Sequence, residues 1–264
     1  MWFNRFGQEI FSEARGLRAG YQWPQVSIHP GVFQRILFAT VIERLGADVV
    51  FLDHYLSSFS QKDDKVRAEF VSKEGDQPQA SVEGDLLIAA DGIHSVVRQH
   101  YYPTQGSPRW AGSMMWRMTA ELNEPVLGGN TMFSAGTGDL KVVGYEISAT
   151  AKARGRSLFN WVAEARVADV DAPLPEREDS NRGAKIADFI GRFKEMKFDW
   201  FDPTAVAKES SSVWAFPMVD RDPVDRWTFG RVTLLGDAAH PMRPSGSNGA
   251  SQSVLDCRER PTPS

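Results

Sequence analysis

The residues best placed to do chemistry lie in GRVTLLGDAAHPMRPSGSNGAS, residues 230–251. An apolar run, Val232 to Leu235, ends abruptly at Gly236-Asp237. An aspartate leaving a strand can accept hydrogen bonds from a sugar or ribityl hydroxyl. The glycine beside it lets backbone come close to a ligand. Pro244 and Gly246 shape the following loop, and from Gly249 the text GASQSVLD suits a helix. The first turn of a helix carries unpaired N–H groups and partial positive charge, so it favours an anion or an electron-rich ring edge. His240 has no second His or Cys at ligand spacing, which argues against a metal site. Ser245, Ser247 and Ser251 sit in no GxSxG frame, which argues against a nucleophile elbow.

Among the elements that must position these residues, LLIAADG (86–92) repeats the pattern: an apolar strand, then Asp91 beside Gly92. It reads as a strand buried on both faces, as in a parallel sheet. Ligands of open α/β sheets bind beyond the carboxyl ends of the strands, so the two ends are candidates for one site. PGVFQRILFATVIERL (30–45) has helical spacing, with Pro30 at the first position and Gly46 as the stop. VVFLDHYL (49–56), KVRAEFVS (65–72) and a segment near ASVEG read as strands, with KEGDQPQ (73–79) as a turn. From about residue 110 four strand-like runs follow one another (SMMWRMTAEL, NTMFSAG, LKVVGYEIS and SLFNWVAEA), and they predict an antiparallel sheet. Residues 168–183 read as an exposed loop and AKIADFIGRFKEM (184–196) as an amphipathic helix.

The totals exclude several classes. The 264 residues carry a net charge of −4 and no basic block, against nucleic-acid binding. Cys257 is the single cysteine, so no disulfide forms within the chain, and a reducing, cytoplasmic setting is expected. No apolar stretch approaches the roughly 18–20 residues of a membrane helix, and the first residues lack the character of a signal peptide. The oligomeric state is not legible. The store of 16 Phe, 8 Trp and 8 Met serves mainly packing.

Taken together, GRVTLLGDAAHPMRPSGSNGASQSVLD resembles the "GD" motif, and DLLIAADGIHSVVR the "DG" motif, of the FAD-dependent aromatic hydroxylases, the p-hydroxybenzoate and salicylate hydroxylase superfamily. NRFGQEIFSEARGLRAGYQWPQVSIH, MMWR, SLFNWV and FPMVDRDPVDRW are similar to its phenazine-modifying, 5-methylphenazine-1-carboxylate monooxygenase branch. The resemblance implies a Rossmann-like α/β FAD-binding domain with an inserted, mainly antiparallel β-sheet substrate domain. It implies a partial FAD-binding domain at 1–109, a substrate domain at 110–212 and a return to the FAD-binding domain at 213–264.

It further implies that Asp237 with Gly236 holds the ribityl part of FAD. Pro244, Gly246, Asn248, Gly249 and Ala250 would lie against the flavin pyrimidine edge, and Asp91, Gly92 and Arg98 would serve FAD and NAD(P)H. In this chemistry NAD(P)H reduces the flavin and O₂ supplies the oxygen given to a small aromatic substrate. It needs no protein nucleophile, so no catalytic acid or base is expected. Met115, Trp116, Met132 and Trp161 are the candidates to line a flat aromatic pocket, beside the alternative that they are core.

The resemblance also expects an opening strand–GxGxxG–helix unit, which occurs nowhere in these residues, and an arginine where Pro30 stands. After Asp256 the segment CRERPTPS brings two prolines and three charges into what should be a continuing helix. The expectation is therefore of a chain short at both ends, lacking the first βαβ unit. The competing function is a non-catalytic fragment or degenerate paralogue with little or no hold on FAD. Without a central strand, the apolar faces of 49–56 and 86–90 are expected to be exposed.

Overall fold

The computed structural model describes residues 1–74, 77–170, 172–173 and 182–258. In chain order the elements are β1 (Trp2–Phe3), β2 (Glu9–Phe11), α1 (Pro30–Leu45), β3 (Tyr55–Lys62), β4 (Lys65–Val71), β5 (Val82–Gly84), β6 (Leu87–Ala89) and α2 (Val96–Tyr101). There follow β7 (Arg109–Leu122), β8 (Phe133–Gly136), β9 (Leu140–Glu146), α3 (Ala149–Ala153) and β10 (Ser157–Arg166). The last are α4 (Pro203–Lys208), β11 (Ser210–Asp220), β12 (Thr228–Phe229), β13 (Val232–Leu234) and α5 (Gly249–Asp256). Contacts group Met1–Val41 with Trp110–Met218 as one compact unit, and Ile42–Arg109 with Val219–Ser264 as a second.

The first unit is built on a seven-stranded sheet in the order β11-β7-β10-β9-β8-β1-β2. The four strands expected after residue 110 are its centre, antiparallel throughout, with Trp161 opposite Met118 on one side and Gly144 on the other. Alternation sorts the side chains. Trp116, Met118, Phe133, Phe159, Trp161 and Val213 face the main core, where Phe189, Phe193, Phe198 and Phe201 cover them. Met115, Val162 and Met218 pack together on the other face. Gly144 is required by this packing: a Cβ there would stand 2.3 Å from the Phe159 ring. β1 and β2, at one end of the sheet, have no counterpart in the sequence reading. β1 pairs parallel with β8, and two residues carry too little pattern to be read.

The 184–196 segment is not an α-helix. It forms two short 3₁₀ turns, Ile186–Asp188 and Ile190–Phe193, broken at Phe189 (φ −132°, ψ −28°). Its apolar spacing reports burial, since Phe189 and Phe193 are both fully inside. Stacking of Phe189 on Trp116 at 4.7 Å anchors the break. Of the expected 168–183 loop, Asp171 and residues 174–181 lie outside the described residues.

The second unit holds two three-stranded sheets, β3-β4-β5 and β12-β13-β6. The expected strand at 49–56 is a correction: the extended run starts only at Tyr55, after a 3₁₀ turn at Ala47–Val49. Asp53 has φ 59°, which ends any extended conformation there, and Phe51 and Leu52 are exposed. β6 and β13 do pair, in parallel, with Leu87 opposite Val232 and Ala89 opposite Leu234. Val66, Ala89, Val97, Val232, Leu234, Ala238 and Ala239 form the core of this unit. As expected, apolar surface stays open: Leu86 and Ile88 beside Phe51, Leu52 and Tyr55 in the exposed set. Helix α1 runs over the residues its spacing and termini predict, yet none of its residues is buried.

Candidate active site

The two strand ends meet. Because β6 and β13 are parallel neighbours, Asp91-Gly92 and Gly236-Asp237 leave the same carboxyl edge of one sheet. Leu235 N–H donates to the Ala89 carbonyl at 2.9 Å, carrying the pairing up to the turn. Beyond it, Gly236 takes φ +59°, a left-handed conformation that glycine adopts without penalty. A side chain there would also meet Ser253 Oγ at 2.8 Å, so the turn packs directly on α5.

Asp256, in the last turn of α5, locks that packing. Its Oδ2 accepts from Gly236 N–H at 2.9 Å and lies 2.7 Å from His240 Nε2. His240, weighed from sequence as a metal ligand, is a partner of Asp256. Among the described residues no cluster of His, Cys, Asp and Glu could hold a metal.

Arg98 holds the other side. It is 2% exposed, and its guanidinium donates to the carbonyls of Ala238 (3.0 Å), Ala239 (2.5 Å) and Asp222 (2.8 Å) and to Gln105 Oε1 (2.7 Å). Burial, with Arg221 nearby, draws its pKa below the usual arginine value. These contacts tie the guanidinium of Arg98 to the turn that follows the second strand end. Asp91 also has a local partner, accepting from Val96 N–H at 2.8 Å at the start of α2, where Ser95 Oγ caps Arg98 N–H.

Asp237 contrasts with all of these. Its carboxylate is exposed and accepts no hydrogen bond among the described residues. The loop after it, with a 3₁₀ turn at Pro244–Gly246 and Ser247 left-handed at φ 52°, delivers the start of α5. Asn248 sits at the N-cap without a side-chain cap, leaving the first-turn amides of Gly249 and Ala250 for another acceptor. An exposed carboxylate without a partner among the described residues, on a turn that packs against the helix with uncapped amides, suits a ligand with hydroxyls on one part and an electron-rich edge on another. That donor set fits the ribityl chain and ring edge of a flavin.

The FAD binding domain family matches residues 17–259. The chain belongs to this family. It is 36% identical over 255 residues to phenazine 1,6-dicarboxylic acid hydroxylase PhzS of Lysobacter antibioticus, covering 97% of this chain and 62% of that protein. The chain thus spans less than two thirds of that relative's length. Among solved structures, a substituted form of Klebsiella pneumoniae HpxO complexed with FAD superposes with a TM-score of 0.69 at 25% identity, over 99% of this chain and 64% of the other. A salicylate hydroxylase substrate complex superposes with a TM-score of 0.72 at 22% identity, over 96% and 60%. The mixed α/β fold is that of the FAD-dependent hydroxylases.

The four pocket candidates do not come together. Trp161 is fully buried in the main core with Nε1 donating to Ser210 Oγ at 3.0 Å, and Trp116 lies in the same core. Met115 is on the opposite face of the sheet, and Met132 is half-buried just before β8. Strand alternation separates Met115 from Trp116, and that periodicity is present in the sequence. Asp256 and Ser253 escape sequence reasoning because their partner, Gly236, lies 17–20 residues away and no local pattern announces the contact.

Proposed function

We propose that this chain carries the flavin-facing and substrate-facing parts of an FAD-dependent monooxygenase, which hydroxylates an aromatic acceptor using NAD(P)H and O₂. The residues at 1–109 and 213–264 are assigned to the FAD-binding domain and those at 110–212 to the substrate domain. Bound FAD supplies electron transfer and O₂ activation. The protein's part is to hold the ribityl hydroxyls at Asp237 and to place the Gly249 and Ala250 amides against the ring edge. Arg98 and Asp256 keep the turn in shape. The similarity to an enzyme of phenazine 1,6-dicarboxylic acid points to a fused, nitrogen-containing aromatic acid as the acceptor class. No helix among the described residues is long and apolar enough to cross a membrane. The single cysteine supports a reducing, cytoplasmic setting.

The observation that carries the reading is the exposed Asp237 carboxylate, without a partner among the described residues, at the shared strand edge. Flavin titration tests it. Asp237→Ala should weaken FAD by about 10- to 150-fold, the loss of a charge-assisted hydrogen bond worth roughly 1.5–3 kcal/mol. The melting temperature without flavin should not move, because Asp237 supports nothing within the fold. Equal FAD affinity in parent and variant overturns the assignment.

A further inference from the structure

The face of the large sheet opposite its main core carries two buried donors without a partner among the described residues. Asn160 is 5% exposed, yet among the described residues its Nδ2 has no hydrogen-bond partner, and neither does the buried Nε of Arg117. Buried donors are nearly always paired, so two such orphans close together call for an acceptor from outside the chain.

They are close together. Val162 stands opposite Arg117 and Asn160 opposite Thr119 in the β7–β10 register, so Arg117 and Asn160 are diagonal neighbours on one face. Such positions lie about 7–8 Å apart, a gap that long side chains close. The guanidinium carbon lies 5.9 Å from the centre of the Phe216 ring. Next to this polar pair the same face is apolar, with Met115, Val162 and Met218 packed together. The neighbouring cation, Lys141, is neutralised by Glu164 at 3.0 Å. Arg117 has no carboxylate partner among the described residues.

We infer that Arg117 and Asn160 form the acid-binding end of the substrate site. Together they take the carboxylate of a planar aromatic acid, beside the apolar cluster of Met115, Val162 and Met218. A carboxylate offers two oxygens and about four lone pairs, enough to accept from both side chains at once. The choice of ring system rests on the monooxygenase reading; the donor geometry does not.

The test is titration of the full chain with phenazine-1-carboxylate and with unsubstituted phenazine, followed by tryptophan fluorescence, in the presence and absence of FAD. The parent should prefer the acid. Arg117→Gln and Asn160→Leu should each weaken the acid by about tenfold or more and leave phenazine within a few-fold. Arg117→Lys should recover part of the loss. Asn160→Leu should melt no lower than the parent, because it removes an unsatisfied donor from a buried site. Failure of the acid to bind, equal affinity for acid and phenazine, or unchanged acid affinity in Asn160→Leu overturns the inference. A chain that takes the acid selectively but no FAD fails the monooxygenase reading and leaves this one standing.

Discussion

Arg98 and Ala239 are 141 residues apart in sequence, yet the Arg98 Nη1 donates to the Ala239 carbonyl at 2.5 Å inside the second unit. This bond, with its companion to Ala238, ties the helix after the first strand end to the turn after the second. The two motifs are thus one mechanical object. Replacing the guanidinium leaves buried carbonyls without donors, at about 1–3 kcal/mol for such a group. Arg98→Met should therefore lower unfolding free energy by about 3 kcal/mol in urea melts of the flavin-free chain. An unchanged midpoint would show that the guanidinium holds no structure.

The two glycines of the site should fail in different ways. Gly236 has φ +59° and a Cβ there would meet Ser253 Oγ at 2.8 Å, so Gly236→Ala should cost at least about 1–2 kcal/mol of stability. At Gly249 a Cβ would find only Met242 Cγ at 3.9 Å, an ordinary contact. Gly249→Ala should melt like the parent, yet bind FAD more weakly because the methyl group stands at the helix start. Paired melting and flavin titration of both variants separate the two effects.

Asp256 reaches Gly236 N–H and His240 from the far end of α5. Asp256→Ala should release the turn while leaving the parallel strands intact. Hydrogen exchange should speed up at residues 236–240 and stay slow at 232–234. FAD affinity should fall in step, with Asp256→Asn recovering part of it through an amide oxygen that still accepts from Gly236. Uniform acceleration across both segments would show a global effect instead.

Asp202 caps α4, accepting from Thr204 Oγ1 and from the amides of Thr204 and Ala205. The Thr204 hydroxyl first, then these amides, hold its pKa below the usual 3.8 against an opposing effect of burial. A depressed folded pKa means the stabilisation is fully present above the unfolded value and is lost as pH falls through the folded one. Asp202→Ala should therefore cost about 1 kcal/mol at neutral pH, within the usual range for an N-cap. The gap between parent and variant should close as the pH is taken below 3.8 in denaturant titrations.

Much of this is legible where local chemistry punctuates the chain. Pro30 and Gly46 bracket α1, and Gly249 opens α5, because starts and stops of helices are set by residues within a turn. The DG and GD strand ends are legible for the same reason. Residues 49–54 mislead, because an apolar run looks the same whether or not a neighbour exists to pair with it. Residues 184–196 mislead because a three-residue spacing of Ile186 and Phe189 serves a 3₁₀ turn as well as an α-helix. The backbone contacts of Arg98 cannot be read at all: its partners are mostly carbonyls of the main chain, which have no letter in a sequence.

Helix α1 has sixteen residues and none is buried. An isolated helix of that length is marginal in water, since most helical stability in proteins comes from packing one face. Among them, Ile36, Leu37 and Phe38 are about half exposed, and they contribute little burial to oppose unwinding. Amides along α1 should then exchange by local fraying, at rates indifferent to denaturant, while those of β10 exchange only with global unfolding. A protease meeting the native chain would find its first cut there, and the sheets would outlast that helix.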